Sequence, residues 1–78
     1  MKETQSPDLI RLGENIRRTR ISKGHSQEDL AHQAGLDRTY LGGAERGERN
    51  LTVLSLLKIS RPLQVSLSEL LKGVGDDY

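Results

Sequence analysis

The sequence predicts an all-α chain of five short helices, and three observations carry that prediction. Apolar residues recur at intervals of three and four, and no two-residue alternation lasts long enough for a strand. Phe and Trp are absent, and the β-branched residues are scattered. Ser, Thr and Asp stand where the periodic segments begin, and Gly where several of them end.

The first helix is expected from about Asp8 to Lys23, with Leu9, Leu12 and Ile16 on one stripe and Gly24 as its stop. Ser26 opens the second, with Asp29 three residues on as in a capping box. Leu30, Ala31 and Ala34 are its inner face, and Gly35 ends it. Asp37 caps the third. Thr52 opens the fourth, VLSLLKIS, which Pro62 is expected to end early. Ser66 and Glu69 form the capping box of a short fifth helix. The domain is therefore placed at residues 8–72, with a polar leader at 1–7 and a flexible tail at 73–78.

Composition narrows the function. The 78 residues hold no cysteine, which removes disulfides and thiolate metal sites. No apolar run is long enough to span a bilayer, and MKETQSPD lacks the apolar block of a secretion signal. A cytoplasmic protein, associated with the nucleoid if it binds DNA, is expected. The net charge is only +1, but it is unevenly placed. Residues 11–61 carry ten Lys and Arg against six Asp and Glu, while residues 1–10 and 62–78 are net acidic.

His25 and His32 lack the converging partners zinc requires. GGAERG follows no strand and has no Lys-Ser/Thr ending, so it is not a phosphate loop. No serine has a histidine placed to serve it as base, and two tyrosines are too few for base stacking on RNA. Neither an enzyme, nor a metal, nor a cofactor is expected.

The informative stretch is QEDLAHQAGLDRTYLGGAER, residues 27–46. Two helices that cross steeply need a small residue at their contact, here Ala31, and a turn residue that tolerates positive φ, here Gly35. Leu41 anchors the second helix, with Leu30, Ala34, Leu36 and Ala44 inward. This is a helix–turn–helix pattern. On a helical wheel, Arg38, Thr39, Gly42, Gly43 and Arg46 lie opposite the Leu41–Ala44 stripe. Two mid-helix glycines cost about 1 kcal/mol each. The expectation is that they leave the outward face bare at its centre for close approach to a surface, while Arg38, Thr39 and Tyr40 project from the N-terminal end.

The run SQEDLAHQAGLDRTYLGGAERGERN, followed by LLKIS and VSLSELL, closely resembles the Cro/phage-repressor-like helix–turn–helix family over about residues 9–72. Its LDRTYLGG and ERGERN wording is most similar to the controller proteins of restriction–modification systems. The resemblance implies a five-helix, lambda-repressor-like DNA-binding domain and a homodimeric transcriptional regulator. It implies that Gln27 contacts phosphate and braces the recognition helix, and that Arg38, Thr39 and Tyr40 read bases or adjoining phosphates. Arg46, Arg49 and Asn50 would hold the DNA backbone. Gly43 joins this DNA-facing set as a position where relatives often carry a base-contacting side chain. Arg20 and Glu45 match a structural ion pair.

Departures from the family pattern are His25 and Thr19 at usually apolar positions, a small Ala44, and Ser60 and Pro62 late in helix four. They are expected to weaken the monomer. Helix four offers compensation, because Val53, Leu56 and Leu57 suffice for a core stripe while Leu54 and Ile59 are surplus. A two-fold dimer through Leu54, Ile59, Leu63 and Leu67 is expected, on a pseudo-palindromic duplex site. Double-stranded DNA, a second copy of the chain and RNA polymerase are the expected partners. The competing function is an antitoxin or phage-type repressor of the same fold that acts through a protein partner.

Overall fold

A computed structural model describes residues 6–76, and within them the fold is five helices with no strand. They are α1 (Pro7–Ser22), α2 (Gln27–Ala34), α3 (Arg38–Glu45), α4 (Val53–Leu63) and α5 (Leu67–Leu70).

Three helices begin at the caps the sequence indicates, and α1 begins earlier than expected, at a cap of its own. The Ser6 hydroxyl accepts from the Leu9 N–H at 3.3 Å, with Pro7 in the first turn, where its missing N–H costs nothing. Ser26 serves Asp29 at 3.0 Å and Thr52 serves Ser55 at 3.0 Å. Ser66 and Glu69 complete a reciprocal capping box, each bond 3.1 Å long. Asp37 is the exception: it occupies the N-cap of α3 with extended backbone but makes no side-chain cap bond.

The core is Leu12 and Ile16 of α1, Leu30 and Ala31 of α2, Leu41 of α3, Leu56, Ile59 and Leu63 of α4, and Leu70 of α5. Each fully buried Leu or Ile contributes about 1.5–3 kcal/mol, so five helices share one small store of apolar burial. Two polar tethers close the ends of the domain. The Asn15 amide, buried, donates to the carbonyls of Leu70 (2.8 Å) and Lys72 (2.9 Å), which holds α1 to the end of α5. The Gly75 N–H donates to the Asp8 carboxylate at 2.9 Å.

Several expectations are corrected. Pro7 is the first residue of α1 and Ser6 caps it, so neither belongs to a leader, while residues 1–5 lie outside the described residues. Residues 73–76 are folded back as turns, with Val74 against the core, so this part of the expected tail is structured; residues 77–78 lie outside the described residues. Pro62 does not end α4, which runs on to Leu63 and closes with Gln64 in the left-handed region at φ 59°. Helix four is also rotated from the expected stripe. Ile59 and Leu63 are completely buried in the monomer, so neither is free to form a dimer surface, while Val53 is 64% exposed. Leu54 is 71% exposed, and Leu67 packs against the edge of the core.

Two departures from the family pattern lie in the interior. Ala44 is buried, and the buried Ser60 hydroxyl donates to the Leu57 carbonyl at 3.3 Å, within its own helix.

Candidate nucleic-acid interface

Helix α3 is seated by backbone contact with α1. A Cβ added to Gly13, in the middle of α1, would lie 2.5 Å from both the Ala44 and the Glu45 carbonyl oxygens. Only glycine lets the two helices come this close. At the exit from α3, Gly47 adopts φ 79°, and a Cβ there would lie 2.8 Å from the Ile10 Cα. The Glu48 N–H then donates back to the Gly43 carbonyl at 2.9 Å and the Gly47 N–H to Ala44 at 3.1 Å. These two bonds make a Schellman turn, which folds residues 48–49 back over the helix they have just left.

The last residue of α3 is its anchor. The Glu45 carboxylate is buried at the helix C-terminus, where the helix dipole disfavours a negative charge. Three donors compensate it. Arg20 Nε and Nη2 donate to its two oxygens at 2.6 and 3.0 Å, and Gln27 Nε2 donates to Oε1 at 2.9 Å. Arg20 also donates to the His25 carbonyl at 2.9 Å, so its guanidinium ties α1, the turn before α2 and α3 together. The Arg20–Glu45 pairing implied by the resemblance is present, with the carboxylate side chain 2% exposed.

The other end of α3 is open. Arg38 and Thr39 are exposed and Tyr40 is half-buried. Arg46, Arg49 and Asn50, on the turn beyond α3, are exposed as well. Gln27 meets the C-terminal half of α3 from the start of α2, with one amide hydrogen committed to Glu45 and the second uncommitted by that bond.

The glycine pair is not bare. Gly42 and Gly43 are both buried, because long side chains lie across them. The Cβ position of Gly42 is 3.3 Å from Arg46 Nη1 and 3.6 Å from Gln27 Oε1, and that of Gly43 is 2.9 Å from Arg49 Nε. Gly43 is therefore a floor beneath a guanidinium and not itself an outward surface. The Arg49 guanidinium stands 5.4 Å from the centre of the Tyr40 ring, in cation–π range. Arg46 pairs with Glu48 at 3.2 Å on the surface, a contact worth little in water.

The geometry meets its relatives here. Residues 16–70 match the helix-turn-helix family model. The chain is 44% identical over 64 residues to control protein C.SmaI of Serratia marcescens, covering 82% of this chain and 76% of that one. The chain belongs to the restriction–modification controller family of helix-turn-helix regulators. The controller protein C.AhdI from Aeromonas hydrophila superposes with a TM-score of 0.81 at 45% identity, over 83% of this chain and 98% of that one. A chain of the controller protein C.Esp1396I, from its tetramer in complex with its natural 35 base-pair operator, superposes with a TM-score of 0.79 at 42% identity, over 90% of this chain and 97% of that one. The protein is thus a DNA-binding transcriptional regulator of controller type.

Three features of this controller fold escape the sequence reading. Gly13 and Asn15 are the mounts of α3 and α5 on α1, and each carried a signal: a glycine inside a helix, and an Asn three residues from Leu12 on the apolar side. The Arg49–Tyr40 contact had none, since it depends on the turn at Gly47. No helix among the described residues is long and apolar enough to cross a membrane.

Proposed function

We propose that this regulator binds a pseudo-palindromic operator as a two-fold homodimer and controls transcription of a restriction–modification operon. It would act on RNA polymerase at that operon, in the cytoplasm. The observation that carries this reading is the asymmetry of α3: its C-terminus is bolted to α1 and α2 through Glu45, while Arg38 and Thr39 at its N-terminus are free and exposed. In a helix-turn-helix it is this N-terminal end that enters the major groove.

Arg38 is assigned to a guanine edge, where a guanidinium pairs with O6 and N7, and the Thr39 methyl to a thymine methyl. Tyr40 is assigned to a base or an adjoining phosphate. Gln27, Arg46, Arg49 and Asn50 hold the phosphate backbone, Gln27 through its second amide hydrogen. The relative bound to its own operator as a tetramer supports assembly on duplex DNA.

The second copy is assigned to the start of α4. Val53 and Leu54 are large, adjacent and exposed, and Leu67 lies at the edge of the core. An exposed apolar pair on a small domain is the expected mark of a partner surface. Two copies related by a two-fold axis would place their α3 helices in half-sites about one helical turn apart.

Selection of bound duplexes from a random pool, followed by sequencing, tests this function. A two-fold symmetric motif is the expected product. Weak, salt-sensitive binding with no enriched motif would transfer the function to a protein partner, as in an antitoxin.

A further inference from the structure

We infer that Gly43 and Tyr40 form a seat that presets the Arg49 guanidinium for DNA, making Gly43 a positioning residue that acts through Arg49. The inference rests on the reading of Arg49 as a DNA-backbone ligand. It goes further in saying why a helix in the recognition position tolerates a glycine there.

A guanidinium on a flexible stem must lose several rotamers to hold a phosphate, and that ordering subtracts from affinity. Three features remove the freedom before DNA arrives. The Schellman turn at Gly47 returns the chain over α3, with the Glu48 N–H on the Gly43 carbonyl at 2.9 Å. The absent side chain of Gly43 leaves a depression into which Arg49 settles. A Cβ there would stand 2.9 Å from its Nε, 3.2 Å from its Cγ and 3.6 Å from its Cδ. The Tyr40 ring, three residues earlier on the same helix, faces the guanidinium carbon at 5.4 Å. Floor, ring and returning chain fix the stem, while Arg49 as a whole remains exposed to solvent.

The seat is specific to residue 43. At Gly42 the added Cβ would meet Arg46 Nη1 at 3.3 Å and Gln27, with no atom of Arg49 among its nearest neighbours. The Gly43 clash is with a flexible side chain and not with backbone, so alanine is accommodated by lifting Arg49 away. Alanine also favours the helix over glycine. Gly43→Ala is therefore expected to raise thermal stability while lowering DNA affinity, an opposition that a purely structural glycine would not produce.

The test is a double-mutant cycle on the selected operator, with affinity followed across salt concentration. Arg49→Ala is expected to lower affinity on all duplexes and to reduce the salt slope by about one ion. Gly43→Ala is expected to lower affinity about two- to tenfold, with the unfolding temperature unchanged or raised. In the Arg49→Ala background, Gly43→Ala is expected to have no further effect. Tyr40→Leu should behave like Gly43→Ala towards Arg49, and Tyr40→Phe, which keeps the ring, should retain the coupling.

Each contrary result is distinct. An Arg49→Ala protein that binds like the parent overturns the reading of Arg49 as a ligand. A Gly43→Ala protein that binds like the parent overturns the seat alone. A Gly43→Ala loss that persists without Arg49 assigns the glycine to close approach of DNA to the backbone, and also overturns the seat. If Gly43→Ala does not fold, the Tyr40→Leu cycle with Arg49 decides: additive losses refute the coupling.

Discussion

The two ends of α3, a helix of eight residues, are built on opposite terms. At the C-terminal end the Glu45 carboxylate receives Arg20 and Gln27, the Gly43 and Ala44 carbonyls receive the returning chain, and Gly13 brings α1 into backbone contact. At the N-terminal end Asp37 makes no side-chain cap bond, and Arg38 and Thr39 are exposed. A side chain that reads base edges has to be free to meet them, yet its base has to be fixed to within a fraction of an ångström. The chain separates these demands along one short helix. Substitutions at one end should therefore change stability, and substitutions at the other should change binding.

The largest effect is expected at the anchored end. Arg20→Ala leaves a carboxylate buried with one neutral donor, and should cost about 3–5 kcal/mol in urea or thermal unfolding. For a domain of this size that approaches the whole of its stability. Replacing Arg20 and Glu45 together by leucine should recover most of the loss, because no charge is then stranded. If Arg20→Ala unfolds at the parent temperature, Glu45 is not the anchor described here.

Gly13→Ala comes next. Its Cβ would press on two backbone carbonyls, which cannot swing aside as a side chain can, and it should destabilise by about 1–3 kcal/mol despite the better helix propensity of alanine. Unfolding midpoints of Gly13→Ala and Gly43→Ala moving in opposite directions would sharpen the distinction between a glycine against backbone and a glycine beneath a flexible side chain.

At the dimer surface, Leu54→Glu should halve the mass seen by sedimentation at micromolar concentration, from about twice 8.7 kDa to once. A parent that sediments as a monomer throughout would remove the dimer. The smallest effect is expected at the open end of α3. Asp37→Ala should cost only a few tenths of a kcal/mol, whereas Ser66→Ala, which dismantles a complete capping box, should cost about 1 kcal/mol.

The fold was legible because it is written in local signals. Ser26, Thr52 and Ser66 each open the helix they were expected to open, and Gly24 and Gly35 close theirs in the left-handed region. The helix–turn–helix stood on several agreeing positions, among them Leu30, Ala31 and Leu41, all of which are buried. What failed depended on features that local periodicity does not contain. The wheel sets Gly42 and Gly43 opposite the Leu41–Ala44 stripe, but it cannot show that Arg46 and Arg49 return to cover and bury them. Apolar spacing in α4 leaves its rotation open, so Val53 reads as core and Ile59 as surplus surface, the reverse of their burial. A proline late in a helix reads as a stop, yet packing of Leu63 carries α4 past Pro62.

The division of α3 into a mount and a reading end is tested most directly with Arg38→Ala, titrated against the selected operator and against a scrambled duplex of equal length at one salt concentration. Arg38→Ala is expected to unfold like the parent, to lose about 1–3 kcal/mol on the operator and to lose little on the scrambled duplex, relaxing preference at one base pair. Equal losses on both duplexes, or a fall in folding stability to match, would contradict the account and move base reading away from the N-terminus of α3.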